Sequence, residues 1–276
     1  MQLSIGYSPC PNDTFIFDAL IHHKIDTKGI EFKLTMADVK ELNTMAFDTK
    51  LDITKLSFHA FAFLTAKYTL LDAGSALGNN CGPLLIAKEV LEREAIIGSK
   101  IAIPGKYTTA NFLLSLAYPE AQNKTEMLFD EIESAVLEDT CKTGLIIHEN
   151  RFTYQEKGLH KILDLGEFWE QEYKLPIPLG GIVIKRDLDH DLKNTVNELV
   201  AQSVRYAFDH PASSREYILQ NAQEMELEVV QKHIELYVNK YSENLGLEGK
   251  KAVEKLFEVA QAKGIVPPIE NSFFLT

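Results

Sequence analysis

The chain has 276 residues, 45% of them hydrophobic and 25% charged, a globular composition long enough for about two domains. Its formal net charge of −12 argues against a nucleic acid or an anionic membrane surface as partner. No window approaches the ~18 consecutive apolar residues of a membrane span, and an anionic small ligand would need local donors rather than a global field.

The first residues, "MQLSIGYSP", lack the basic start and long apolar run of a signal peptide and read as a strand from residue 2. Cys10, Cys81 and Cys141 are odd in number and widely spaced, so they suggest neither a disulfide framework nor a CxxC metal site. A reducing cytoplasm is the expected compartment. In "QLSIGY" the residues Leu3, Ile5 and Tyr7 share one strand face. "NDTFIFDALIHHK" follows as a helix that Asn12 or Asp13 can cap, with Phe15, Ile16, Ala19 and Leu20 as its stripe. "IEFKLTM" is a second strand, residues 39–49 a second helix, "SFHAFAFLTAKY" a third helix and "PLLIAK" another strand.

From about residue 90 the pattern restarts. "KIAIP" is a strand, "TTANFLLSLAY" a helix, residues 130–140 a helix, "GLIIH" a strand and "LGEFWEQEYK" a short helix. "PIPLGGIVIKR" holds a return strand, and the chain from about residue 188 is almost all helical, with Gly264 as a stop. The alternation predicts an α/β fold with mostly parallel sheets. The layout predicts a second lobe, residues 90–178, inserted into a discontinuous first lobe of residues 1–89 and 179–276, with a ligand cleft between them. The final helices serve either a homodimer contact or a cover for the first lobe.

One device occurs three times: a strand, a short turn, and a helix opened by Ser, Thr, Asn or Asp. The instances are "GYSPCPNDTFIF", "ITKLSFHAF" and "IPGKYTTANF". Helix starts of this kind favour carboxylate or phosphate through their backbone N–H groups and the helix dipole. Ordinary N-capping accounts for each instance equally well. Lys55 and Lys106 would add local positive charge, or are solvated surface lysines. "GSALGNNCGP" is no nucleotide-binding motif; it is a plain loop, a connection between lobes or a backbone lining to a pocket, and "PLGG" carries the same ambiguity.

Of the eight histidines, His22 and His23 suit a helix end, His160, His190 and His210 sit in polar contexts, and His59 fits an apolar helix. His233 lies in "KHIELYVNKY", where Tyr237 and Asn239 are candidates to face a cleft. No HExxH or related pattern is present, so no metal is expected. His148 is the best candidate base, because "GLIIHENRFTY" puts it where an apolar strand ends in polar residues and its ordinary pKa lies near ~6.5. On a continuing strand Glu149 would point to the opposite face. Glu149, Arg151 and Tyr154 are either supports for this histidine or packing and surface residues. No GxSxG elbow exists, and nothing singles out Cys10 or Cys81 as a nucleophile.

Taken in order, "YSPCPNDTFIF", "TKLS", "GSALGNNCGP", "IPGKYTTA", "GLIIHENRFTY" with "DLGEFW", "PLGG" and "YVNKY" resemble the 1,4-dihydroxy-6-naphthoate synthases, the cyclic dehypoxanthinyl futalosine lyases of the futalosine route to menaquinone. The resemblance runs from residue 2 to about 245. It implies a two-lobed fold like type 2 periplasmic binding proteins with a central cleft, and a base-initiated carbon–carbon cleavage of a carboxylate-bearing substrate without metal or organic cofactor. By the same resemblance His148 is the base. Substrate contacts fall on Lys55, Leu56 and Ser57, and on Thr109 and Ala110 with Thr108 adjacent. Asn12, Asp13 and Thr14 complete the pocket. A non-catalytic solute-binding protein of the same fold and the sister chorismate dehydratase are the competing readings.

Overall fold

Apolar alternation makes Gln2–Tyr7 (β1) a strand, and Leu3, Ile5 and Tyr7 are all buried. The helix after it, Pro11–Ile21 (α1), begins with a proline whose fixed φ suits a first helical turn. The computed structural model describes residues 1–222 and 226–275. Chain order continues with β2 Glu31–Met36, α2 Val39–Phe47, β3 Ile53–Ser57, α3 Phe58–Ala62, β4 Tyr68–Leu70, β5 Ala76–Gly78 and β6 Leu84–Ala87. Then come α4 Arg93–Ile97, β7 Ile101–Ile103, α5 Thr109–Ala117, β8 Lys124–Glu126, a 3₁₀ turn at Phe129–Glu131, α6 Ile132–Leu137, β9 Thr143–Ile146, α7 Asn150–Thr153, β10 His160–Asp164 and α8 Leu165–Tyr173. β11 Ile177–Lys185 leads into α9 His190–Asp209, α10 Arg215–Asn221, α11 Leu227–Tyr237, α12 Lys240–Glu243 and α13 Gly246–Ala262. The expected helical run after residue 188 includes 223–225, which lie outside the described residues.

The chain divides into two units, residues 1–78 with 178–276 and residues 79–177. In the first unit the strand order is β2-β1-β3-β11-β4, with β5 beside β11. β1 runs parallel to β2 and β3, whereas β11 runs antiparallel to β3 and β4. Tyr7, Phe17, Leu20, Ile53, Ile182 and Leu199 sit in its core, where each full burial contributes ~1.5–3 kcal/mol over exposure. α9 fastens α1 through the Ser203 hydroxyl, which donates to the Ile16 carbonyl at 2.6 Å and accepts from the Leu20 amide at 3.1 Å. α13 buries Val253, Leu256 and Phe257, the last with its ring against Phe61 of α3 and Phe273 of the tail. It ends at Ala262, and Gly264 follows at φ +66°, a left-handed stop. The tail covers the free edge of β4: the Leu70 amide donates to the Phe273 carbonyl and the Leu275 amide to the Leu70 carbonyl.

The second unit holds the order β10-β6-β9-β7-β8. β7 runs parallel to β8 and β9; β6 is antiparallel to β9 and β10. Both sheets are therefore mixed rather than mostly parallel, because β11 and β6 each enter their sheet from the opposite end. β6 belongs to the second unit, whereas the sequence boundary near residue 90 leaves it in the first. The third helix also differs from expectation: α3 is five residues long, and turns and β4 take up the rest of that stretch. "GSALGNNCGP" contains β5 and then passes from the first unit into the second. Its Gly82 lies against Gly166 so closely that a Cβ on Gly82 would stand 2.1 Å from the Gly166 nitrogen.

Asp52 closes the far end of the first sheet. Partial burial opposes its ionisation, but the Ser4 amide and hydroxyl and the Lys185 ammonium all bond it and hold its carboxyl below the ordinary value. A depressed folded pKa contributes stability above the unfolded value and loses it as pH falls through the folded one. Asp52→Asn is therefore expected to lower unfolding free energy near neutrality, with the gap from wild type closing below about pH 4 in urea titrations. Gly82→Ala should cost about 1–3 kcal/mol by the same measurement. Gly98→Ala, whose Cβ would meet only the Glu94 carbonyl at 3.4 Å, should stay within about 0.5 kcal/mol of wild type.

Candidate active site

In the first unit the candidate residues converge on one carboxylate. Asp13 lies in the first turn of α1, is 1% exposed, and forms an ion pair with Lys55 of β3. Its Oδ2 accepts from the Ser8 hydroxyl at 2.7 Å and the Ser8 amide at 3.2 Å, while Oδ1, the oxygen paired with Lys55, also accepts from Asn12 Nδ2 at 2.8 Å. That bond leaves Asn12 Oδ1 as the acceptor facing His233 Nε2 at 2.9 Å, so His233 of α11 carries a proton on Nε2. Lys55 is thus a buried, paired ammonium, not the solvated lysine that is commoner. Of its three N–H donors Asp13 takes one.

The cap of α1 is Cys10 in extended backbone, not Asn12 or Asp13, because Pro11 already occupies the first helical position. Thr14 turns its hydroxyl back on the Cys10 and Pro11 carbonyls and is fully buried, which suits a structural role. Leu56 is a core residue. Ser57 closes β3 and caps α3, and Asn43 of α2 grips it twice: Asn43 Oδ1 accepts from the Ser57 amide at 3.1 Å and Asn43 Nδ2 donates to the Ser57 hydroxyl at 3.2 Å. Gly180 of β11 pairs with Ser57, and a Cβ there would stand 2.7 Å from the Leu56 carbonyl and 3.5 Å from Lys55 Cε. Gly180, the first glycine of "PLGG", therefore gives Lys55 and its strand the room to lie flat.

Asn43 and Ser8 are polar contributors that sequence reasoning did not single out; Ser8 stands within "YSPCPNDTFIF", whereas Asn43 stands in no quoted motif. Tyr7 precedes Ser8 and bonds the Tyr217 hydroxyl at 2.7 Å, and burial pushes its phenol well above the ordinary tyrosine range. Asn239, a candidate for facing a cleft, instead caps α12 and donates to the Leu77 carbonyl.

In the second unit Thr108 caps α5: its hydroxyl accepts from the Asn111 amide at 3.2 Å, and Asn111 Nδ2 donates to the Lys106 carbonyl at 2.8 Å. Thr108, Thr109 and Ala110 are all buried at this helix start, while Lys106 is exposed. His148 follows β9 with φ 59°, a left-handed conformation, and is half-buried. Its ring meets Phe129 edge-on at 4.9 Å between centroids. The strand does not continue past Ile146, so the expected alternation fails and Glu149 is buried. Burial pushes the Cys81 thiol up to about 12, with Glu170 and Asp164 adding and Arg151 opposing, so Cys81 is a neutral thiol and a poor nucleophile. Cys10 and Cys141 are also buried and form no disulfide. Among the described residues no helix is long and apolar enough to cross a membrane.

The family model for menaquinone biosynthesis matches residues 3–262. A 1,4-dihydroxy-6-naphthoate synthase of Thermus thermophilus is 42% identical over 99% of both chains. One from Streptomyces coelicolor is 40% identical over 97% of this chain and 95% of its own. Among solved structures, protein AF1704 of Archaeoglobus fulgidus superposes with a TM-score of 0.91 at 36% identity, covering 96% of this chain and 98% of that one. The alkanesulfonate-binding protein SsuA of Xanthomonas axonopodis reaches a TM-score of 0.72 at 14% identity, covering 97% and 94%, which places the fold among those of periplasmic binding proteins.

Removing Asp13 strands a buried ammonium. Asp13→Ala is expected to cost about 3–5 kcal/mol in urea unfolding, and adding Lys55→Met should recover most of that loss.

Proposed function

The chain belongs to the menaquinone biosynthesis family, and we propose that within it the protein is a 1,4-dihydroxy-6-naphthoate synthase acting as a carbon–carbon lyase. The observation that carries this reading is His148. It stands at the end of a buried strand, with its ring set against Phe129, in a chain whose 40–42% identical relatives bear that name over nearly their whole length. The likeness to sulfonate-binding proteins lies at 10–14% identity and concerns the fold alone.

In the proposed reaction His148 takes a proton from cyclic dehypoxanthinyl futalosine. The electron pair released drives a retro-aldol-like break of a carbon–carbon bond, the ring aromatises to 1,4-dihydroxy-6-naphthoate, and a three-carbon fragment departs. The substrate carboxylate is held without a basic surface by the start of α5 at Thr108, Thr109 and Ala110. Asn12 and Asp13 act by fixing Lys55, and Thr14 by fixing the first turn of α1. Negative charge that develops on the enolate meets preorganised N–H donors of the same kind. A cytoplasmic setting suits three buried cysteines that form no disulfide.

His148→Gln keeps a similar side-chain volume and removes the base. Followed by the absorbance of the naphthoate, its kcat is expected to fall by roughly 10²–10⁴-fold while the circular dichroism spectrum stays that of the wild type. A kcat within about threefold of wild type would assign the base elsewhere.

A further inference from the structure

His148 has a left-handed backbone, which strains a residue with a Cβ. Other non-glycine residues in that region, such as Lys174 and Asp139, close helices or turns and are exposed. What sets His148 apart is the chain directly after it. Asn150 and Arg151 are each tied to a different buried carboxylate of the same unit.

Asn150 Nδ2 donates to Glu133 Oε2 at 2.6 Å. Glu133 belongs to α6, is 2% exposed, and takes a second bond on the same oxygen from the Lys157 ammonium at 2.6 Å. Arg151 reaches the other way. One arm of its guanidinium donates to the Gly82 carbonyl, and the other reaches Asp164 Oδ2 at 3.3 Å. Asp164 is itself held, since its Oδ1 accepts from the Gly166 and Glu167 amides and so caps α8. The Gly82–Gly166 contact brings the carbonyl and the carboxylate within reach of one planar fork. α7 is only four residues long and buries none of them, so these two anchors, with the buried Tyr154 that follows it, hold it.

We infer that Arg151 and Glu133 are positioning residues for His148. Together they pin the turn on both sides, hold His148 in its left-handed conformation, and seat its imidazole against Phe129. With either anchor gone, the backbone can relax to negative φ and the ring leaves the place from which it removes a proton. The inference rests on His148 as the base, and a base acts in the transition state, so loss of position should appear in kcat rather than KM.

Arg151→Lys keeps the charge but cannot serve both acceptors, and it is examined in the full-length protein with ¹³C-labelled histidine. The His148 Hε1 signal, assigned by its absence in His148→Gln, reports the ring current of Phe129. In Arg151→Lys this signal is expected to shift, and kcat to fall by roughly 10²-fold with KM within about twofold of wild type. Should this variant fail to fold, Glu133→Gln makes the same test from the other anchor. A signal left at its wild-type position overturns the inference, and so does a shifted signal with unchanged kcat. If the wild-type protein shows no turnover, the functional reading fails. The resonance alone then still decides whether Arg151 sets the ring.

Discussion

A lysine ammonium inside a folded chain requires a counter-charge, and the first unit is organised around meeting that requirement. Asp13 supplies the charge for Lys55, and its remaining capacity collects Ser8 from the end of β1 and Asn12 from the start of α1. Through Asn12 it also reaches His233 of α11. Strand ends and a helix start are thereby locked into one constellation, at the end of the sheet where α/β proteins present their chemistry. The pair stabilises little in net terms, because desolvation offsets the Coulomb attraction. Its effect is to keep a charged donor in one place.

The second unit uses carboxylates in the same manner. Asp164 caps α8 while holding Arg151, and Glu133 holds Asn150 and Lys157. In both units buried acids orient neighbouring polar groups. An acidic chain can in this way handle an anionic ligand with local donors, and its net charge of −12 sets no obstacle. The fold by itself would permit a simple binding protein. What separates an enzyme from a binder on this fold is a positioned base.

Elements with a clear apolar period were legible: β1, α1, β2, α2, β9 and the glycine stop after α13. β4, β5 and β8 were not: each is three residues long and, unlike the apolar "IAI" of β7, is interrupted by polar residues or glycine. Strand direction was equally hidden, and the antiparallel entry of β11 and β6 emerges only from pairing. The same divide runs through the site. Strand-to-helix turns flagged Ser57, Thr108 and His148, because strand ends and capping residues leave local signals. The Asn43–Ser57 grip spans 14 residues and the His233–Asn12 bond 221, distances over which spacing says nothing. Lys55 looked like a surface lysine because its partner sits in another element. The left-handed turn at His148 broke the strand alternation from which Glu149 was placed on the opposite face.

The central claim is that this chain breaks a carbon–carbon bond in the molecule it binds. A single-turnover experiment with enzyme in excess over cyclic dehypoxanthinyl futalosine, quenched and resolved by mass spectrometry, tests it most directly. The account predicts that the substrate is replaced by 1,4-dihydroxy-6-naphthoate and one equivalent of a three-carbon fragment. Recovery of the intact substrate from protein that had bound it would contradict the account.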